Sequence, residues 1–69
     1  MNYPELTRRL RRLGIRFYKQ GHGSHEIWWD PERRLFTTIS YHGSRDLKRG
    51  TLRAILGDLE LSEEDLRNA

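Results

Sequence analysis

The chain has 69 residues, no cysteine and a formal net charge of +3, which leaves room for one small domain and excludes disulfide frameworks and thiolate metal sites. No apolar run reaches signal-peptide or transmembrane length, so a soluble cytoplasmic protein with no membrane partner is expected. The charge is uneven: residues 1–53 carry twelve of the 13 Lys and Arg but only half of the 10 acids, a footprint suited to a polyanion.

Eleven of those 13 cations are arginine, whose planar fork favours bidentate phosphate contacts. A solvated basic surface is the plainer explanation, and composition alone does not choose between them.

In chain order, the first element is a helix over residues 3–13. Asn2 and Glu5 resemble a capping box, Pro4 is tolerated in the first turn, and Gly14 supplies the stop. Leu6, Leu10 and Leu13 make one apolar stripe, with Arg8, Arg9, Arg11 and Arg12 on the opposite side.

From Ile15 the period changes. IRFYKQ, HEIWWD and LFTTISY are rich in aromatic and β-branched residues, and the loops GHGS and PERR separate them. They predict three antiparallel strands. Residues 50–59 return to helical spacing through Leu52, Ile55, Leu56 and Leu59. A last short helix is announced by Ser62 at the N-cap, Asp65 at N3 and a Leu61–Leu66 staple. No linker or repeat interrupts this order, so residues 1–69 form one α+β domain. Its three-stranded antiparallel sheet carries two helices on one face and a short C-terminal helix.

Three histidines lie at strand ends or in loops: His22, His25 and His42. Imidazole titrates near neutrality and is the usual general acid or base. Gly21, Gly23 and Ser24 beside His25 suit close passage of a phosphate, although a plain hairpin loop would have the same composition. The three histidines lack a carboxylate at ligand-like spacing, so neither metal nor cofactor is expected. Arg45, Lys48, Arg49 and Thr51 lead into the second major helix, whose free N–H groups attract phosphate.

Trp28 and Trp29 must face opposite ways on a strand. If His25 faces solvent, Trp29 does too, where it can stack on a base, and Trp28 enters the core. The opposite phase would bury His25, and the apolar pattern leaves both phases open.

Gly23-Ser24-His25 opening a strand, Pro31, His42-Gly43 and Leu47-Lys48-Arg49-Gly50-Thr51-Leu52-Arg53 with Ile55-Leu56 together resemble the HicA (YcfA-like) toxins over residues 5–66. The resemblance implies a double-stranded-RNA-binding-domain-like α-β-β-β-α fold. It also implies the toxin of a type II toxin–antitoxin pair, an endoribonuclease that cleaves mRNA and is neutralised by a HicB-like antitoxin protein. The family's essential histidine falls on His25. Ser40-Tyr41 stand before His42 where members often have a proline, and His22 lies outside the pattern.

The expectation is therefore a free monomer with His25 catalytic. Arg8, Arg12, Lys19, Gly23, Ser24, Arg45, Lys48, Arg49 and Thr51 hold RNA, with His22, His42 and Trp29 as accessory candidates. Two other readings stand beside it: a double-stranded-RNA-binding module without catalysis, and a protein that docks an acidic partner through its arginines.

Overall fold

The computed structural model describes residues 1–69. Helix α1 spans Tyr3–Arg12. The Asn2 side chain accepts the Glu5 N–H at 3.0 Å, satisfying one of the donors that a helix start leaves free. Leu13 closes the helix and Gly14 follows at φ +90°, a left-handed conformation that favours glycine. Leu6 and Leu10 are fully buried, whereas Leu13, the third member of the expected stripe, is half-buried.

Strands β1 (Arg16–Gln20), β2 (His25–Asp30) and β3 (Leu35–Ser40) form one antiparallel sheet in the order β1-β2-β3. On β2, Trp28 pairs with Thr37, Trp29 with Phe36 and His25 with Ser40. The β1–β2 register breaks between Phe17 and Lys19, so Tyr18 has no direct partner across the ladder, as at a β-bulge. At the β2–β3 turn the Asp30 carboxylate accepts the Glu32 and Arg33 N–H groups at 3.0 and 3.3 Å. Arg34 then takes a positive φ of 57°. The turn expected at PERR is therefore held by the aspartate before it.

Helix α2 (Arg49–Asp58) and helix α3 (Glu63–Arg67) complete the chain. The Ser62–Asp65 capping box is present in both directions. Leu61 and Leu66 both pack into the core cluster, as the staple requires. The architecture is helix, three strands, then helices, as the sequence order implies.

Both major helices cover the same face of the sheet. Leu6 and Leu10 from α1, Trp28 and Ile39 from the sheet, and Ile55, Leu56 and Leu59 around α2 bury together with Ile15 and Leu66. Across this interior, Thr37 donates to the Asp58 carboxylate at 2.9 Å. Only 11 of 69 residues are buried, so each core side chain carries an unusually large share of the stability. The outer sheet face has no covering layer.

Candidate active site

The strand phase is the first fact the site depends on. Trp28 is 1% exposed, while His25 opens β2 as an exposed residue. The solvent-facing alternative for His25 is the one adopted, and Trp28 is the tryptophan that enters the core.

The β1–β2 loop closes onto the His25 backbone from both sides. The His25 N–H donates to the His22 carbonyl at 2.9 Å. Its carbonyl accepts from Gly21 N–H at 2.8 Å and from the Gln20 side chain at 2.8 Å. A Cβ at Gly21 would lie 3.2 Å from that carbonyl oxygen, so the missing side chain is what lets the loop fold in this closely. Gly23 sits at φ +57°. The imidazole thus stands on a short backbone platform fixed by three hydrogen bonds.

Across the strand, His25 faces Ser40, and the pairing continues one step as Tyr41 N–H donates to the Ser24 carbonyl at 2.9 Å. Ser40 is also a wall of a cavity of about 390 Å³ lined by His42, Arg45, Asp46, Leu47, Lys48 and Thr51. The start of α2 opens toward this region, and its N-cap residue Lys48 makes no side-chain capping bond. Uncapped helix N–H groups, two cations and an imidazole therefore converge beside the strand end that carries His25. This is an anion-attracting arrangement.

The other expected contacts are distributed differently. Gly23, Ser24 and His22 lie in the loop beside His25, all exposed. Lys19 pairs with Ile27, on the outward side of the sheet, and Trp29 stacks on Phe36 with centroids 5.2 Å apart. Arg49 opens α2 and is exposed.

The arginine side of α1 divides by task. Arg9 donates to the carbonyls of Leu66 and Arg67 at 3.2 and 3.1 Å, tying α1 to α3. The Arg11 guanidinium lies 5.1 Å over the Trp28 ring, a cation–π contact. Arg8 and Arg12 remain exposed, but Arg12 reaches the Ala69 carbonyl at 3.5 Å. The α1 end near His25 is instead marked by Tyr3, and Arg12 lies nine residues further on, about 13 Å along the axis.

Sequence reasoning missed a polar group directly behind the site. The Tyr3 hydroxyl donates to the Glu26 carboxylate at 2.6 Å, and Trp28 Nε1 donates to the same oxygen at 3.0 Å. Tyr41 packs edge-on against Tyr3, centroids 4.9 Å apart. Burial, then the hydrogen bond to the Glu26 carboxylate, push the Tyr3 phenol up to about 12. The signal was available: Glu26 shares the phase of Trp28, and a carboxylate on a core-facing phase demands a donor.

The family model for the HicA toxin of bacterial toxin–antitoxin systems matches residues 3–61. The chain belongs to the HicA toxin family. The match covers α1, the whole sheet and α2, so every element around His25 falls within the HicA region. No curated protein matches the chain. Membership of the HicA family makes the protein a toxin of a toxin–antitoxin pair, with an antitoxin as its partner. None of its helices is long and apolar enough to cross a membrane.

Proposed function

We propose that this toxin is an endoribonuclease that cleaves mRNA by transesterification at His25 and is neutralised by a HicB-like antitoxin. The observation that carries this reading is the outward projection of His25 at the head of β2, opposite Ser40 and the basic cavity at the start of α2.

In the proposed reaction, His25 removes the proton of a ribose 2′-hydroxyl. The 2′-oxygen attacks the adjacent phosphorus, and the 5′-oxygen leaves with a proton. The products are a 2′,3′-cyclic phosphate and a 5′-hydroxyl. The second proton is assigned to His42, an accessory candidate that lines the cavity together with Ser40. Arg45, Lys48 and the α2 N–H groups supply positive potential for the charge that builds on the phosphorane oxygens. Arg49, Thr51, Gly23, Ser24 and Lys19 extend the contact along the backbone, with Arg8 and Arg12 as a more distant basic surface and His22 as a loop accessory.

Inducing wild type and His25→Ala side by side tests the assignment. Growth arrest and mRNA loss are expected with wild type only, and cleavage by the purified variant should fall by at least about 100-fold. Equal cleavage rates would sink the role of His25. RNA binding by wild type without any cleavage would favour a non-catalytic duplex-binding module.

A further inference from the structure

The outer sheet face carries an aromatic group that the cleavage reading leaves unused. Trp29 and Phe36 are stacked, with centroids 5.2 Å apart and 26° between planes. Tyr18 stands edge-on to Phe36 at 5.2 Å and tilted against Trp29 at 4.8 Å. Tyr18 is 46% exposed and Phe36 44%. Alternation from Arg16, opposite Trp29, puts Tyr18 on this face, and the register break after it turns Lys19 to the same side, opposite Ile27. Large aromatic side chains held at a surface and covered by nothing mark a binding face.

The charges of this face favour a nucleic acid. Its outward positions hold Lys19, with the ammonium 6.0 Å from the Tyr18 ring, and His25, while the guanidinium of Arg16 donates to the Arg11 and Ile15 carbonyls at 2.8 and 3.2 Å. No carboxylate occupies an outward position on any of the three strands. Glu26 is turned to the Tyr3 and Trp28 side, and Asp30 is used in its own turn. His25 lies on the same face, four residues from Trp29 along β2, or about 13 Å.

The chemistry narrows the nucleic acid further. Attack by a 2′-oxygen requires it to line up behind the phosphorus opposite the leaving oxygen, an alignment that a stacked A-form duplex does not offer. The strand at His25 must therefore be unpaired, and unpaired bases are held by aromatic side chains.

We propose that the outer sheet face is a stacking platform for single-stranded RNA. Bases further along the strand from the scissile phosphate extend the Trp29–Phe36 stack and contact Tyr18, while Lys19 takes a backbone phosphate. The platform rests on the ribonuclease reading only for its position relative to His25. It makes single-stranded RNA the bound form and the sheet face its principal contact.

The test uses a mixed-sequence 12-nucleotide 2′-O-methyl RNA, which lacks the attacking hydroxyl. Its affinity is measured by fluorescence anisotropy, single-stranded and annealed to its complement, at one salt concentration. Wild type is expected to bind the single strand at least about tenfold more tightly than the duplex. Tyr18→Ala and Phe36→Ala should each weaken single-strand binding by about tenfold and leave duplex binding unchanged. Thr38→Glu keeps every aromatic ring and places a negative charge on the face, so it should produce the same loss even if an alanine variant unfolds.

Equal affinity for both probes, or full single-strand affinity in Phe36→Ala and Thr38→Glu, would overturn the platform. So would variants that keep RNA binding but lose association with an antitoxin, since the face would then belong to a protein partner. The probe is not cleaved, so an active His25→Ala enzyme would end the catalytic assignment and leave this one intact.

Discussion

At the scale of single residues, the site is divided between the two faces of one strand. His25 points outward, and its neighbour Glu26 points inward to accept from Tyr3 and Trp28. The inward residue ties β2 to the start of α1 and so fixes the strand from which His25 projects. Tyr3→Phe removes a hydrogen bond to a carboxylate, and it should cost about 1–3 kcal/mol in denaturant unfolding. The pH dependence has a definite sign. The folded protein favours the neutral phenol, whose value is raised to about 12 from 10.0. This contribution is fully present below pH 10 and is lost as pH rises toward 12. Thermal melts across that window should show wild type losing stability more steeply than Tyr3→Phe.

At the scale of elements, α3 is too short to persist alone, and its contacts explain why it is ordered. Five residues make little more than one turn. The capping box satisfies its first N–H groups, Leu66 is buried, and Arg9 from α1 binds its last carbonyls. The Ser62 N–H donated to the Asp65 carboxylate lowers the Asp65 pKa below its ordinary value. The corresponding stability is present above about pH 3.9 and disappears as pH falls through the lowered value. Asp65→Asn should therefore flatten the acid limb of the melting curve. Ser62→Ala should cost about 1 kcal/mol at neutral pH. Arg9→Ala is expected to release α3, read as faster amide exchange at residues 63–67 with α1 still protected.

At the scale of the whole molecule, one tryptophan joins the two layers. Trp28 touches Phe17 edge-on at 5.9 Å and lies under the Arg11 guanidinium, and its indole N–H is bonded to Glu26. Trp28→Ala should lose about 3–5 kcal/mol, which in so small a core is expected to unfold much of the population at 37 °C by circular dichroism. RNA affinity should fall steeply with salt. If five phosphates are neutralised, the logarithmic slope should be near −3.5 for a single strand. A slope close to zero would exclude a backbone-dominated contact.

Much of this was legible in the chain. Leu6 and Leu10, the alternating aromatic strands, the PERR turn and the Ser62–Asp65 box are local patterns, set by helical or strand periodicity and by backbone hydrogen bonding within a few residues. They determine the order of elements and the α+β class without any long-range information. The GSH, HG and GTLR segments resemble a family whose model does match the chain. What the sequence left open was the phase of β2, because HEIWWD is apolar enough on both faces to satisfy either choice. The tertiary structure decided it by burying Trp28 against α1 and α2, where Arg11 and Glu26 meet its ring and its N–H. That choice turns His25 outward. Long-range pairing likewise set Ser40 opposite His25 and assembled Tyr18, Trp29 and Phe36 from three strands, because register follows from packing the buried face and carries the outer face with it.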